Sequence, residues 1–200
     1  MSAGKVIGIT GFTGSGKTVL ADIIRGQGLY VIDVDRFAHG LYEKGRPVYR
    51  RIVKKYGEEV LGKDGFIDRK KLGKKVFVSE KEYRDFSGII FPPLVKALEK
   101  EISLLKEKFV FLDMAVLFES GFYKKTDEII TVCVSDEVRE KREKKSGKAG
   151  LRKRIYEMQK IFPFSKKIAL STYILYNDEN IERLKKQALK ILKMIGVLYA

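Results

Sequence analysis

The sequence predicts an α/β fold in which helices cover both faces of a parallel sheet. Short apolar runs alternate along the chain with longer segments that carry apolar residues at helical spacing. Strands that are apolar throughout are typical of parallel sheets, because both faces of such strands are buried.

Five apolar runs are predicted to be strands. The first is followed by glycine, the second and third are followed by aspartates, and the fifth ends near Asn177. Short apolar runs of this kind are typical of buried strands. The predicted strands are residues 5–10, 29–32, 109–112, 129–134 and 173–175.

The segments between these runs are predicted to be helical. Residues 94–105 and 181–195 each carry an apolar stripe at steps of three and four, as in amphipathic helices. The stretch 36–108 is too long for one crossover and should hold several helices.

We expect one compact domain, residues 1–200, with two mobile appendages. Its divisions are a core of about 1–35, 108–140 and 165–200, a helical lobe of about 36–107, and a basic excursion of about 141–164 whose flexible tip is 146–150.

The composition narrows the partners that the protein can have. The 200-residue chain carries a formal net charge of +15, which favours anionic partners such as nucleic acid, anionic lipid or phosphorylated small molecules. The sequence has no zinc-finger spacing, RNP-like aromatic motif or basic heptad region, so no nucleic-acid partner is expected. It has a single cysteine, no signal-peptide pattern and no apolar run of about 18 residues, so we expect a cytoplasmic protein without a membrane partner.

A glycine-rich motif follows the first predicted strand. Residues 11–18 read GFTGSGKT and fit the phosphate-loop pattern G-x-x-x-x-G-K-[ST] at every position. Glycines let backbone N–H groups turn toward phosphate oxygens, and the following helix adds its positive end. Lys17 supplies a charge for the β- and γ-phosphates, and the Thr18 hydroxyl can bind Mg²⁺. The predicted nucleotide-binding residues are Phe12, Thr13, Gly14, Ser15, Gly16, Lys17, Thr18 and Val19.

Three aspartates follow predicted strands. Asp33, Asp35 and Asp113 should lie beyond the carboxyl ends of the strands, where α/β sheets bind ligands. Asp35 is the stronger candidate for the acceptor side, where a carboxylate can orient an attacking hydroxyl or take its proton. Asp113 resembles the acidic residue that holds Mg²⁺ directly or through water. Either aspartate could instead cap a turn.

His39 is the single histidine, and it should lie on the helix after Asp35. It is either a surface residue or a contact to the acceptor. The basic excursion contains several arginines, one of which could neutralise charge that develops during phosphoryl transfer. Position alone does not choose among Arg139, Arg142, Arg152 and Arg154.

Six motifs occur in an order that is typical of one kinase family. They are GFTGSGKT (11–18), VIDVDRFAHGL (31–41), GRPVYRRIVKKYG (45–57), DGFIDRKKLGKKVF (64–77), LDMAVLFESGFYK (112–124) and RIYEMQ (154–159). With these motifs, and with Asn177 at the end of the last predicted strand, the chain resembles the dephospho-CoA kinase family over nearly its whole length.

The resemblance implies a three-layer α/β/α P-loop kinase fold with a five-stranded parallel sheet, a helical CoA-binding lobe and a lid. It implies transfer of the γ-phosphate of ATP, with Mg²⁺, to the ribose 3′-hydroxyl of dephospho-CoA by a monomer or weak homo-oligomer. The implied catalytic residues are Lys17, Asp35, Arg142 and Arg154. Asn177 is implied to bind the nucleotide, Thr18 and Asp113 the metal, and Asp35, His39, Phe118 and Glu119 the acceptor.

The sequence departs from the family pattern at several positions. Pro92-Pro93 replaces a His-Pro pair that precedes the long helix, Ala115 replaces a proline, and Ser146 replaces a lid arginine. Thr172 and Tyr176 stand in the usually acidic approach to Asn177.

Two other functions are compatible with parts of the sequence. Another small-molecule kinase, for a nucleoside or nucleotide, would share the phosphate loop but not the block at residues 112–124. A nucleic-acid-associated ATP-binding module would account for the charge and would bind DNA or RNA in a salt-dependent way.

Overall fold

A five-stranded parallel sheet forms the centre of the fold. The computed structural model describes residues 4–145 and 149–198. The strand order is β2-β3-β1-β4-β5, and every neighbouring pair is parallel. All five predicted strands are confirmed, with their ends moved by one residue at most. The strands are β1 (Lys5–Gly11), β2 (Tyr30–Asp33), β3 (Phe109–Asp113), β4 (Glu128–Cys133) and β5 (Tyr173–Tyr176).

The chain divides into two compact units. The first comprises Met1–Asp33 with Leu105–Ala200, and the second is Val34–Leu104. The helices of the first unit are α1 (Lys17–Arg25), α6 (Asp136–Lys145), α7 (Ala149–Gln159), α8 (Phe164–Ala169) and α9 (Ile181–Ile195). Those of the second are α2 (Val34–Leu41), α3 (Pro47–Tyr56), α4 (Arg69–Val76) and α5 (Glu80–Leu104). The expectation of several helices after residue 36 is confirmed, whereas the proposed division into core, lobe and lid stays a prediction.

Helices α1 and α9 cover one face of the sheet. The side chains that alternate along β1 toward this face, Ile7 and Ile9, are fully buried. They join Phe111 of β3, Ile130 of β4 and Leu175 of β5 in a single apolar cluster with the two helices. The helical residues of this cluster are Leu20, Ala21, Ile24, Leu184, Ala188, Ile191, Leu192 and Ile195.

The segment after β3 and helix α8 approach the opposite face. A Cβ atom on Gly8 of β1 would lie 2.6 Å from a methyl group of Leu117, so glycine permits this close approach. Farther along, the hydroxyls of Thr131 in β4 and Ser171, just after α8, share a hydrogen bond of 2.6 Å. The first contact holds the segment after β3 against the sheet, and the second joins β4 to the residue that follows α8 by two positions.

In the second unit, α3 and α4 pack against the long helix α5. The expectation that Pro92-Pro93 precedes the long helix is wrong, because both prolines lie inside α5. The helix continues through them because its apolar stripe does so. Ile90, Leu94 and Leu98 are buried at steps of four, and this burial outweighs the two N–H groups that the prolines cannot donate.

Within the described residues, we find no helix whose length and apolar content would let it cross a bilayer.

Candidate functional site

The phosphate loop joins the central strand to a helix. β1 ends at Gly11 and α1 begins at Lys17. Between them, the N–H of Ser15 donates to the carbonyl of Phe12 at 3.0 Å, which closes a turn. Gly16 caps α1 with a φ of 93°, a left-handed conformation that favours glycine. The first turn of α1 therefore presents its N–H groups at the carboxyl end of β1, as an anion site requires.

Close packing around the loop excludes side chains at two of its glycines. A Cβ atom on Gly16 would collide with the side-chain nitrogen of Asn177. One on Gly11 would lie 2.5 Å from the carbonyl oxygen of Val132. The hydroxyl of Ser15 is buried and has no hydrogen-bond partner among the described atoms. A cradle of backbone amides with a spare hydroxyl fits the phosphates of ATP.

Lys17 and Asp113 form a buried ion pair at the carboxyl ends of β1 and β3. Asp113 is the last residue of β3, and its register partner on β2 is the exposed Asp33. Thr18 and Val19, next to Lys17, are exposed. The structure thus brings together Lys17 and Asp113, which the sequence assigned to the phosphates and to the metal.

Asn177 connects the last strand to the phosphate loop. Its backbone N–H donates to the carbonyl of Cys133 at 2.9 Å, which extends the pairing of β5 with β4. Its side-chain amide donates to the carbonyl of Ser15 at 2.7 Å. Arg142, half-buried on α6, donates to the backbone carbonyl of Asn177 at 2.8 Å. Asn177 therefore places one of the predicted catalytic arginines next to the loop.

Two aromatic residues and an amide side chain hold the front of the loop. The Phe12 ring packs against Tyr156 of α7 and Phe164 of α8, at centroid distances of 5.1 and 5.4 Å. The backbone N–H of Thr13 donates to the side chain of Gln159 at 2.9 Å. Gln159 is the last residue of the RIYEMQ motif and was not among the predicted site residues.

Phe118 and Glu119, predicted to bind the acceptor, are buried in the segment after β3. Phe118 stacks on Phe162 at a centroid distance of 5.2 Å. Glu119 pairs with Lys167 of α8 at 2.6 Å, and its second carboxylate oxygen has no hydrogen-bond partner among the described atoms. Burial raises the pKa of Glu119 and lowers that of Lys167, while their mutual attraction opposes both shifts.

The second unit contains Asp35 and His39. Both lie on α2, as expected for His39. The rings of His39 and Tyr42 meet edge to face at 5.6 Å. Burial raises the pKa of Tyr42 to about 12; the Arg69 guanidinium opposes this rise, and the Asp35 carboxylate adds to it. Asp35, Tyr42 and Arg69 are therefore neighbours within this unit.

The other candidate arginines differ in their surroundings. Arg154 is exposed on α7. The Arg139 guanidinium lies 3.8 Å from the centroid of the Tyr156 ring and donates to Asp136. Residues 146–148, which include Ser146 and the first part of the predicted flexible tip 146–150, lie outside the described residues, as does the side chain of Arg152. The rest of that tip, residues 149–150, belongs to α7.

Replacing Asn177 with alanine should weaken ATP binding by about tenfold, because the buried carbonyl of Ser15 loses its hydrogen-bond donor. Calorimetric titration with ATP measures the effect. The matched control is Asn180→Ala, which removes the side chain that caps α9 by accepting from the N–H of Arg183 at 3.0 Å. It should cost about 1 kcal/mol of stability and leave ATP affinity unchanged. Equal losses of ATP affinity in both variants would refute a specific role for Asn177.

Comparisons with known proteins identify the family and the fold. The family model described as dephospho-CoA kinase matches residues 5–183. The dephospho-CoA kinase of Aquifex aeolicus is 37% identical, over 94% of this chain and 95% of the relative. The crystal structure of TT1252 from Thermus thermophilus superposes with a TM-score of 0.75 at 28% identity, covering 100% of both chains. The dephospho-CoA kinase from Campylobacter jejuni shares the fold with a TM-score of 0.68 at 20% identity, over 96% of this chain and 98% of that one. The predicted P-loop kinase fold is confirmed, and the chain belongs to the dephospho-CoA kinase family.

Proposed function

We propose that this protein transfers the γ-phosphate of ATP to the ribose 3′-hydroxyl of dephospho-CoA, producing CoA and ADP. The observation that carries the proposal is the phosphate loop at the end of β1, with Lys17 beside Asp113, in a chain that matches the family from residue 5 to 183. A phosphate loop alone is common to many kinases. The family match supplies the identity of the acceptor.

The transfer is an in-line displacement at the γ-phosphorus. The hydroxyl oxygen of the acceptor forms a new bond to phosphorus as the bond to the β-phosphate oxygen of ADP breaks. The protein contributes mainly by positioning and by neutralising charge. Lys17 and the N–H groups at the start of α1 hold the triphosphate. Arg142, anchored on Asn177, and Arg154 complete the positive surroundings.

Asp35 acts on the acceptor hydroxyl, which it orients or deprotonates. Its support is its place in the VIDVDRFAHGL motif, two residues beyond the last residue of β2. The second unit, Val34–Leu104, serves as the acceptor lobe, with His39 as a contact. Phe118 and Glu119, whose side chains lie in the segment after β3, are the further residues assigned to acceptor binding.

Mg²⁺ is the metal that this site would use. The Thr18 hydroxyl and the Asp113 carboxylate are hard oxygen ligands next to the loop, and Mg²⁺ is usually held by one or two such groups together with substrate phosphates. When bound, the ion neutralises charge on the β- and γ-phosphate oxygens. The cytoplasmic location and the monomeric or weakly oligomeric state, without a nucleic-acid partner, stay predictions.

An assay of ADP release with a panel of acceptors tests the proposal. Dephospho-CoA, adenosine, uridine and nucleoside monophosphates are each supplied with ATP and Mg²⁺. Acceleration by dephospho-CoA alone is the expected result. Faster ADP release with a nucleoside or nucleotide than with dephospho-CoA would contradict it and would favour the small-molecule kinase alternative.

A further inference from the structure

Gln159 contacts the backbone of the phosphate loop. It is the last residue of α7 and is only 3% exposed. Its side-chain carbonyl accepts the N–H of Thr13 at 2.9 Å. Because a peptide unit is planar, this one bond fixes the orientation of the whole peptide that joins Phe12 to Thr13. The orientation of this peptide therefore influences the direction of the backbone N–H groups that follow it, up to Gly16.

A buried ion pair holds the main chain of Gln159. The Lys167 ammonium donates to the carbonyl oxygen of Gln159 at 3.1 Å and to the Glu119 carboxylate at 2.6 Å. The two charged side chains are 5% and 4% exposed. One ammonium therefore ties together the end of α7, helix α8 and the segment after β3.

The same ammonium also faces the side chain next to Thr13. It lies 4.5 Å from the centroid of the Phe12 ring, which packs between residues of α7 and α8. The loop is thus held at two successive residues: Phe12 through its ring and Thr13 through its backbone.

Stability is a weak explanation for such an arrangement. Apolar side chains that replace a buried ion pair often leave stability unchanged or improve it. Hydrogen bonds between buried groups are directional, and a satisfied network favours one geometry over its alternatives. A chain of such bonds that ends on a loop amide is therefore suited to setting the shape of that loop.

We propose that Gln159 is a positioning residue of the nucleotide site, and that the Glu119–Lys167 pair holds it in place. The proposal rests on the proposed function only in taking a nucleotide as the ligand of the loop. Because coupling between two equilibria is reciprocal, a bound nucleotide must stabilise the docking of α7 on the loop as much as docking favours the nucleotide.

Binding of ADP to the full chain tests this proposal. Gln159→Met preserves the length of the side chain but removes the acceptor, and should raise the Kd for ADP about tenfold. The Kd for dephospho-CoA, measured separately by the same calorimetric titration, should not change. Gln159→Glu keeps an acceptor oxygen and should restore ADP affinity to within about threefold of the original. Glu157→Gln, an exposed change on α7 that alters a surface pair with Lys160, is the matched control and should bind ADP normally.

Two results would overturn the proposal. One is an unchanged ADP affinity in Gln159→Met; the other is an ADP affinity in Gln159→Glu that is no higher than in Gln159→Met. If Gln159→Met does not fold, hydrogen exchange of the original protein decides: ADP must slow exchange at the Thr13 amide and in the last turn of α7. Since ADP binding needs no acceptor, a failure of dephospho-CoA turnover would contradict the proposed function and leave this test intact.

Discussion

Replacing Lys17 with alanine should slow phosphoryl transfer to dephospho-CoA by about 100- to 1,000-fold, the usual cost of losing one charged or hydrogen-bonding group that stabilises a transition state. The Lys17 ammonium stands at the first residue of α1, where the phosphate loop ends. There it balances charge on the phosphate oxygens during transfer. A steady-state assay of ADP release measures the effect. Turnover within tenfold of the original would mean that Lys17 does not contact the transferred phosphate.

The same substitution should also destabilise the fold, because it leaves the buried carboxylate of Asp113 without its charged partner. The side chains of Lys17 and Asp113 are 12% and 6% exposed, and removing one partner from such a pair costs about 3–5 kcal/mol. The double variant Lys17→Ala/Asp113→Asn should regain much of that stability in urea denaturation without regaining transfer. Recovery of activity in the double variant would show that misfolding caused the loss.

Replacing Asp35 with asparagine should lower kcat by about 100- to 10,000-fold, the range expected when a general base is lost. Asparagine preserves the size of the side chain but neither accepts a proton nor carries a charge. Calorimetric titration should find ATP affinity nearly unchanged, since this carboxylate is assigned to the acceptor. The substitution should therefore lower turnover without weakening nucleotide binding.

Asp33→Asn is the matched control for Asp35. Asp33 is an exposed carboxylate only two residues earlier, at the end of β2, and its replacement should cost less than about tenfold in kcat. If Asp35→Asn keeps full turnover, Asp35 neither orients nor deprotonates the acceptor. Similar losses in both variants would indicate a general effect of charge near the strand end.

The strands could be predicted from the sequence because their signals are local. Each is a short apolar run whose end is marked by glycine or a polar residue. Because both faces of these strands are buried, the runs are apolar throughout and do not depend on an alternating apolar and polar pattern for their recognition. The prolines of α5 show where local rules fail. A proline pair normally argues for a helix boundary, but the buried stripe from Ile90 to Leu98 continues on both sides of it. Tertiary packing therefore keeps α5 helical through the two prolines. A single sequence does not show which residues an apolar stripe packs against.

The phosphate loop was identified because its glycine spacing is visible in the chain, and Asn177 was assigned to the nucleotide through the family resemblance. Gln159 and Lys167 were missed as parts of the site for a different reason. Lys167 follows Lys166 directly, and nothing in the sequence distinguishes the buried lysine from its exposed neighbour. Its partners Glu119 and Gln159 lie 48 and 8 positions away. Only the folded arrangement shows that these groups meet.

The hydrogen bond from Asn177 to Ser15 spans 162 positions of the chain. During translation, the loop therefore gains this contact only after the 162 positions that separate it from Asn177 have been synthesised and have left the ribosome. A nascent chain that stops short of β5 lacks both the edge strand and the amide that braces Ser15. Tight capture of nucleotide should accordingly arise only after β5 and Asn177 have emerged.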